Sequence, residues 1–362
     1  MGNINIRKKN IDDCKELKLL SSKLCKIKKG VDILKGKIIK ILKGSGNDFV
    51  SGEKISEQLG VSRASIWKYI NVIKEDGYEI EAITRKGYRL ISSPDILTFE
   101  EIKDFLRTEH IGRNIIYFES IGSTNSTAKE LAERGEEHGT VIISEEQTTG
   151  RGRLGRNWVS PKYKGIWMSI ILRPNIVTEN ISQITLIGAA AVQKAIMRMG
   201  IKTSIKWPND IVLNNRKVCG ILTEMSGEID HINYLIMGIG INVNMEEKDL
   251  PIDLKDVATS LTIETGMYIE RKLLLANVLN IFEELYNDFV KNGNVKEAME
   301  ICRKNSLLIG KDIQVINRGK ITKAKAVDIS DSGELVIENQ QGMLEYVVSG
   351  EVSIRGIYGY GI

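Results

Sequence analysis

The sequence predicts an α+β fold in which helices come first, helices and strands mix in the middle, and strands alone close the chain. Apolar residues recur at helical spacing between residues 33 and 73. Between residues 94 and 309 several strand-like segments follow one another directly, which favours α+β over a regular βαβ series. From residue 310 onwards only period-two alternation remains.

Composition excludes several classes of protein. Of 362 residues, 42% are hydrophobic and 27% charged, which is close to globular averages and excludes wholesale disorder. The longest weakly polar run, 184–192, is too short to cross a membrane, and the N-terminus lacks the apolar segment of a secretory signal. We therefore expect a cytoplasmic protein. The four cysteines form no Cys-x-x-Cys pair, and the three histidines match no metal-ligand spacing.

The charge is distributed unevenly along the chain. Residues 1–91 carry 20 Lys/Arg and 11 Asp/Glu, a net charge of +9, whereas residues 92–362 carry 31 and 36, a net charge of −5. A basic N-terminal part followed by a mildly acidic remainder indicates that only the N-terminal part binds a polyanion. The lysine-rich extension at 1–30 fits a nucleic-acid contact and a charged tail without a role equally well.

The pattern over residues 31–93 predicts a helix-turn-helix unit with a β-wing. After a first apolar stripe, Ser51 caps a second helix, Gly60 begins a turn, and Ser62 caps a third helix that ends near residue 76. The inward residues of the third helix are Ile66, Ile70 and Ile73. Two alternating strands at 78–83 and 87–91 form the wing.

A linker at 92–94 separates this unit from the middle part, 94–309, and from a third part, 310–362. Predicted strands lie at 115–119, 166–172, 211–213, 218–223 and 234–243. Predicted helices lie at 125–134, 181–199 and 271–290. In the third part, alternating residues between Gly- and Asp-containing turns predict a small barrel of about five strands.

The segment EQTTGRGRLGRNW at 146–158 is the strongest chemical signal. Its glycines let the backbone turn freely and approach a ligand. Arg151, Arg153 and Arg156 supply forked donors for carboxylate or phosphate oxygens. No hydrophobic periodicity explains the run, and the pattern of a Walker-type phosphate loop is absent. The segment predicts a flexible anion-binding loop, with a basic surface loop or an RNA-binding Arg-Gly tract as the alternative.

The segment KWPNDIVLNNRKVCGILTE at 206–224 predicts a β-hairpin. Its Asn-Asn pair at 214–215 indicates a two-residue turn, and the register that follows pairs Asp210 with Cys219. Asp210 and Lys217 then share one face as diagonal neighbours, about 7–8 Å apart at Cα. Such a pair is able to hold Mg²⁺ and a phosphate side by side, or to form an ion pair without a ligand, and the spacing leaves both open.

Two weaker segments add candidate contacts. Ser123, Thr124 and Asn125 follow a strand and begin a helix, where their side chains cap the helix and its N–H groups meet a polar ligand. The segment GIGINVN at 238–244, which contains Asn242, is suited to line an adenine or ribose pocket, although a core strand is the default.

Together these segments resemble the family of bifunctional biotin–protein ligases that also act as biotin-operon repressors. The resemblance covers residues 33–355 and rests on the paired GRGRxGRxW and KWPND…RK..GIL motifs. It implies a winged helix-turn-helix, a central mixed β-sheet backed by helices, and a C-terminal SH3-like barrel. It also implies a biotin–[acetyl-CoA-carboxylase] ligase, in which biotin and ATP give biotinyl-5′-AMP and pyrophosphate. A lysine of a carrier domain then takes the biotinyl group.

The resemblance also implies roles for individual residues. Biotin is expected to contact Ser123, Thr124, Asn125, Gln147, Arg151, Gly152, Arg153 and Lys217. The nucleotide is expected to contact Arg153, Arg156, Asn209, Lys217 and Asn242. The implied catalytic residues are Lys217, Arg153 and Asp210, and Asp210 is also the implied Mg²⁺ ligand.

The helix-turn-helix unit supplies the implied repressor activity. Residues on the first turns of its third helix lie where base and phosphate contacts arise, and wing residues reach backbone phosphates. The DNA-binding candidates are Ser62, Arg63, Ser65, Lys68, Tyr69, Lys86 and Arg89. The resemblance implies operator DNA as a partner and a homodimer that biotinyl-AMP promotes.

Two rival functions stay open. A lipoate–protein ligase shares the catalytic architecture, although the complete GRGRLGRNW loop and the winged head favour biotin. A repressor that senses biotin without ligating it would not need Arg153, Asp210 and Lys217 together. The segment expected to fold over the adenine, 245–259, contains no aromatic residue.

Overall fold

The computed structural model describes residues 34–176, 180–228, 231–317, 320–349 and 352–356. The lysine-rich extension at 1–30 lies outside the described residues. The chain divides into two units, Met1–Pro94 and Asp95–Ile362. This division lies one residue from the boundary expected at 93/94, and the finer domain limits stay predictions.

The first unit contains three helices and a two-stranded sheet. They are α1 (34–44), α2 (Gly52–Leu59), α3 (Arg63–Glu75), β1 (Glu79–Ile83) and β2 (Gly87–Ser92). The strands pair antiparallel, and Val50 and Tyr88 exchange two backbone hydrogen bonds of 2.9 Å that fasten the wing to the chain after α1. The helix-turn-helix with a wing is therefore confirmed.

Side-chain caps explain where α2 and α3 begin. Ser51 Oγ accepts a hydrogen bond from the backbone N–H of Lys54, and Ser62 Oγ accepts one from Ser65. Gly60 ends α2 in the left-handed region, at φ 66°. The inward residues of α3, predicted from their spacing, are fully buried: Ile66, Ile70 and Ile73.

The second unit is built on a seven-stranded sheet with the order β3-β4-β5-β9-β8-β7-β6. The strands are β3 (Ile115–Phe118), β4 (Val141–Ser144), β5 (Gly165–Leu172), β6 (Ser204–Lys206), β7 (Asp210–Leu213), β8 (Arg216–Glu228) and β9 (His231–Asn242). Strands β3 and β4 are parallel and all other neighbours are antiparallel, so the sheet is mixed, as expected.

Helices cover both faces of this sheet. They are α4 (Phe99–Ile102), α5 (Thr124–Glu133), α6 (Ile181–Arg198), α7 (Leu261–Thr265), α8 (Arg271–Asn292) and α9 (Lys296–Lys304). Ile142 and Ile171 pack with α5 on one face, whereas their neighbours Ile143 and Ile170 join the large core formed with α6 and α8. This alternation follows from the period of two in a strand. Within the described residues, no helix combines the length and the apolar character needed to cross a membrane.

Several short elements of this unit escape prediction. Strand β4 has the sequence VIIS, and so short an apolar run does not distinguish a strand from part of a buried helix. Strand β6, the one-turn helices α4 and α7, and helix α9 were likewise not predicted. Strand β8 is longer than the expected 218–223, because its pairing with β9 continues to residue 228.

The chain closes with a five-stranded antiparallel sheet, as its alternation predicted. The strands are β10 (Asp312–Asn317), β11 (Lys320–Ile329), β12 (Leu335–Glu338), β13 (Leu344–Val347) and β14 (Val352–Gly356), in the order β13-β12-β11-β10-β14. On the edge strand β13, however, the alternating residues Leu344 and Tyr346 are exposed, and Val347 is the buried one. The period-two pattern therefore predicts the strand correctly but not which of its faces is buried.

Candidate functional site

A cleft of about 480 Å³ lies in the second unit, where the loop after β4, the β7–β8 hairpin and the start of α5 meet. The predicted biotin and nucleotide contacts and the predicted Mg²⁺ ligand Asp210 all line it: Ser123, Thr124, Asn125, Gln147, Arg151, Gly152, Arg153, Arg156, Asn209, Asp210, Lys217 and Asn242. The structure thus brings two distant sequence segments, 146–158 and 206–224, to one cavity. The individual roles of these residues stay predictions.

Gln147 anchors the start of α5, which corrects one expectation. The predicted cap, Ser123, makes no side-chain capping hydrogen bond. Instead, Oε1 of Gln147 accepts hydrogen bonds from the backbone N–H and the hydroxyl of Thr124, at 2.8 and 3.0 Å, and its Nε2 donates to Ser160 at 2.9 Å. A long carboxamide from a neighbouring loop reaches the helix terminus, so the Ser123 hydroxyl, which lines the cleft, is not used by the helix.

Asn125 is held at the base of the cleft by its surroundings. Its Nδ2 donates to Glu224 at 2.6 Å, and Ser169 Oγ lies 2.6 Å from its Oδ1. A Cβ on Gly238 would lie 2.1 Å from that oxygen, so only glycine leaves room for the amide in this position. Ser169 was not predicted, because it comes from β5, far from Asn125 in the chain. Glu224 ends the 206–224 segment but was assigned no contact.

The same strand makes room for Trp158, which closes the glycine–arginine segment. A Cβ on Gly240 would lie 2.5 Å from Nε1 of the indole. Trp158 therefore lies against β9 and faces the ammonium of Lys217, whose Nζ is 5.1 Å from the ring centroid. Trp158 was not among the candidate site residues, although it ends the strongest motif.

The β7–β8 hairpin turns where expected but not in the expected register. Asn214 and Asn215 have φ values of 47° and 61°, as a two-residue turn of this kind requires. Asp210 faces Gly220 rather than Cys219, so that pairing was wrong. A β-bulge gives β8 one extra residue opposite the Ile211–Val212 step, and a bulge of this kind re-aims the side chains beyond it.

The carboxylate and the ammonium of the hairpin are in contact. Lys217 Nζ lies 2.6 Å from Asp210 Oδ1, and both side chains are mostly buried at the cleft. The spacing left open whether Asp210 and Lys217 form an ion pair or bind a ligand. The observed ion pair is compatible with ligand binding. An ammonium has three donors and the pair has room on the cleft side for a further anion.

Arg153 links the flexible loop to the hairpin. Its Nη1 donates a hydrogen bond of 2.9 Å to Oδ1 of Asn209, whose own Nδ2 donates to the Ile221 carbonyl at 2.8 Å. Burial lowers the pKa of Arg153, the carboxylate of Asp210 opposes this shift, and Arg156 adds to it. The guanidinium stays charged, because arginine does not deprotonate in proteins. A fixed positive charge therefore acts on Asp210, the ion-pair partner of Lys217.

The far wall of the cleft combines an apolar surface with two polar atoms. Met245, Leu250, Leu254, Val257 and Ala258 line it. Asn242 Nδ2 donates to the Thr259 carbonyl at 2.9 Å. Among the residues that the structure describes, Asn242 Oδ1 and Trp158 Nε1 are buried without a hydrogen-bond partner. They offer a bound ligand one acceptor and one donor.

A single carboxylate is available for a metal at this cleft. In the described part of the chain there is no group of three or more His, Cys, Asp or Glu residues able to hold an ion. Magnesium, however, is commonly bound by one or two carboxylates together with substrate phosphates and water. Asp210 therefore fits a magnesium ion that arrives with a nucleotide, and does not fit a resident metal centre.

The DNA-binding candidates are not equally available. Arg63 and Lys68 are exposed on α3. Ser62 and Ser65 share the capping hydrogen bond of α3, whereas Arg89 pairs with Glu81 and lies 4.7 Å from the ring centroid of Phe49. Lys86 lies 5.8 Å above the same ring. The wing cations are thus partly engaged within the unit.

Comparison with known proteins identifies the family. Three family models match in order: "HTH domain" at 35–89, "Biotin/lipoate A/B protein ligase family" at 117–242 and "Biotin protein ligase C terminal domain" at 308–355. The bifunctional ligase/repressor BirA of Bacillus subtilis (strain 168) is 42% identical over 311 residues, which cover 86% of this chain and 95% of that protein. The chain belongs to the family of bifunctional biotin ligase/repressors.

Further relatives support the assignment to the bifunctional biotin ligase/repressors. BirA of Escherichia coli (strain K12) is 30% identical over 329 residues, which cover 88% of this chain and 96% of that protein. The biotin protein ligase from Aquifex aeolicus, solved in complex with biotin and ATP, has a TM-score of 0.60 and 33% sequence identity, and covers 67% of this chain and 99% of its own. The predicted fold class is therefore confirmed.

Proposed function

We propose that this protein attaches biotin to a lysine of a biotin carboxyl carrier domain through biotinyl-5′-AMP, and represses transcription in response to biotin. The observation that carries the proposal is the meeting of Arg153, Asp210 and Lys217 at one cleft, in a chain that also has a helix-turn-helix unit. The bifunctional relative from Bacillus subtilis is 42% identical over 86% of the chain, which includes both units.

The two ends of the cleft suit the two substrates. Ser123, Thr124 and Asn125 offer hydroxyl and amide groups that match the ureido ring of biotin, which both donates and accepts hydrogen bonds. At the other end, Asn242 and Trp158 present a buried acceptor and a buried donor beside an aliphatic wall. We assign this end to the adenine and ribose, with Trp158 supplying the aromatic face absent from 245–259.

The charged groups between these ends suit adenylation. The biotin carboxylate attacks the α-phosphorus of ATP, and the bond to pyrophosphate breaks. Negative charge builds on the phosphoryl oxygens in the transition state, where Arg153 and Lys217 stabilise it more than in the ground state. Mg²⁺ bound with ATP supplies further positive charge at the phosphates, and Asp210 is the residue that would hold it.

Lys217 and Asp210 also restrain each other before substrates bind. Their 2.6 Å contact fixes the position of the ammonium beside Trp158. Holding biotin and ATP together in such a preorganised site removes part of the entropic barrier to their reaction. Arg151 and Gly152 lie on the loop that would then close over the product, a reactive mixed anhydride, and limit its hydrolysis.

The acceptor lysine completes the cycle. Its neutral amine attacks the carbonyl carbon of biotinyl-AMP, an amide bond forms, and AMP leaves. The proposal further includes a homodimer promoted by biotinyl-AMP, which would place two helix-turn-helix units on a palindromic operator. Because a repressor must reach operator DNA, the proposed location is the cytoplasm.

Incorporation of labelled biotin into a purified carrier domain tests the ligase activity, with labelled lipoate as the control. We expect ATP-dependent incorporation of biotin and no incorporation of lipoate. Preferential incorporation of lipoate would replace the proposal by a lipoate ligase, which the family model at 117–242 also includes. Tight binding of biotin without any transfer would indicate a sensor that represses but does not ligate.

A further inference from the structure

Helix α3 carries a tryptophan whose side chain is exposed in the described part of the first unit. Trp67 is 59% exposed, whereas the residue before it, Ile66, is fully buried. The buried positions Ile66, Ile70 and Ile73 fix the rotation of the helix, so Trp67 is directed away from the core. Among the described residues, no aromatic ring or cation stacks on this indole.

The surroundings of Trp67 match a nucleic acid rather than an apolar partner. Arg63 lies one helical turn before it, Lys68 follows it, and Asn71 lies one turn after it. Arg63 and Lys68 are exposed like Trp67, whereas Asn71 is half-buried, and α3 carries no acidic residue before Glu75. An indole surrounded by cations and an amide complements the phosphates and base edges of DNA better than it complements a protein core.

The position of Trp67 within α3 indicates which group of the DNA it contacts. In a helix-turn-helix, the second helix of the motif lies in the major groove and its N-terminal residues contact base edges. Trp67 is the fifth residue of α3, one turn from the Ser62 cap, and is therefore within this reading segment. The one apolar group exposed on base edges in the major groove is the C5 methyl of thymine.

We propose that Trp67 is a specificity-determining residue of the repressor, which recognises a thymine by packing its indole against the C5 methyl in the major groove. This inference rests on the proposed repressor function and adds a residue that the basic and hydroxyl candidates of α3 do not supply. Phosphate contacts from Arg63 and Lys68 position the helix without reading sequence, whereas the indole reads one base.

A thymine-to-uracil exchange tests the contact, because it removes the methyl group and leaves every hydrogen-bonding edge unchanged. The full-length protein, with biotin and ATP, first selects a preferred duplex from a random-sequence pool. Each thymine of that duplex is then replaced singly by deoxyuridine, and affinities are measured for the wild-type protein and for Trp67→Ala. We expect one thymine at which the wild type loses about five- to tenfold in affinity and Trp67→Ala loses nothing.

Ile91→Ala is the matched control, since Ile91 is an exposed apolar residue of the same unit that lies outside α3. It should keep the wild-type sensitivity to every uracil exchange. Biotinyl transfer by Trp67→Ala should equal that of the wild type, which shows that the second unit folds, and an unchanged circular dichroism spectrum shows the same for the helices of the first unit. Equal sensitivity of the wild type and Trp67→Ala at every thymine would overturn the assignment of Trp67.

Three other outcomes would also overturn it. A loss of dimer formation by Trp67→Ala without DNA would show that a second copy of the chain covers the indole. A gain in Trp67 exposure to iodide quenching after removal of residues 1–33 would show that this segment covers it. If the wild type enriches no sequence, the repressor function itself fails, a result distinct from failure of the thymine contact alone.

Discussion

Arg153 donates a hydrogen bond of 2.9 Å to Oδ1 of Asn209, and this bond joins the glycine–arginine loop to the hairpin that carries Lys217. The two residues are 56 positions apart in the chain. Asn209 is itself fixed to β8 through the Ile221 carbonyl, so the loop is tied to a rigid strand rather than to another loop. The positive charges of Arg153 and Lys217 therefore keep a defined separation.

Replacing Gly238 by alanine should weaken biotin binding specifically. The new Cβ would lie 2.1 Å from Asn125 Oδ1 and displace the amide from the base of the cleft. Loss of one polar contact to a buried ligand group amounts to about 1–3 kcal/mol, so the KM for biotin should rise about tenfold. Steady-state kinetics check this, and the KM for ATP should change little.

Gly44→Ala is the matched control for that substitution, because a Cβ there meets no atom within 4 Å. It should leave both KM values unchanged. An equal rise in the KM values for biotin and ATP with Gly238→Ala would contradict the assignment of Asn125 to the biotin end.

Replacing Arg271 by methionine should destabilise the second unit severely. The Arg271 and Glu145 side chains are both 0% exposed, and their 2.6 Å ion pair is extended by Asp95 and the Gly165 carbonyl. Burial raises the pKa of Glu145 even though Arg271 opposes the shift. Without the guanidinium, the buried carboxylate is left uncompensated, which costs about 3–5 kcal/mol.

Urea unfolding of the second unit measures this loss. Lys194→Met is the comparison, because it breaks the more exposed pair with Glu297 and should change the free energy of unfolding by no more than about 1 kcal/mol. Similar losses for the two variants would show that the Arg271 pair is not the stabilising interaction described.

Acidification should weaken the second unit through His138. Burial lowers the pKa of this imidazole below its ordinary value of 6.5, with His110 and Arg173 acting in the same direction and Glu283 opposing. The neutral ring stacks on Tyr286, and its Nδ1 accepts the Arg173 backbone N–H at 3.1 Å. The native state thus favours neutral His138, so its contribution is complete above pH 6.5 and is lost as the pH falls below that value.

His138→Phe keeps the aromatic stack and removes the titration. The free energy of unfolding of this variant, followed from pH 7 to pH 5, should fall less steeply than that of the wild type. Parallel slopes would exclude a role for His138, whatever the absolute stability of the variant.

Much of the fold follows from local sequence, whereas the site depends on contacts between distant segments. The caps Ser51 and Ser62 and the turn at Asn214 were predictable, because each is decided by its immediate neighbours. The bulge that places Asp210 opposite Gly220 was not, since it depends on how β8 pairs with β9 as well as with β7.

The difference between local features and contacts of distant segments also explains which site residues were not predicted. The arginines stood out because nothing local explains three of them in one loop. Trp158 and Gly240 belong to segments that the sequence singled out, but neither was assigned a contact, since the importance of an aromatic and a glycine appears only when β9 passes beneath the loop. Gln147 was expected to contact biotin. Its hydrogen bond to the N-terminus of α5 depends on how the loop packs against that helix, which the local sequence does not determine.

Pyrophosphate release at saturating biotin and ATP, measured for the wild type and Lys217→Met, tests most directly that the loop and the hairpin form one adenylation site. Lys194→Met, far from the cleft lining, serves as the control. We expect Lys217→Met to release pyrophosphate at least about 100-fold more slowly, the loss typical of removing one transition-state donor, in a variant that still unfolds in a cooperative thermal transition. A rate equal to that of the wild type would contradict the account.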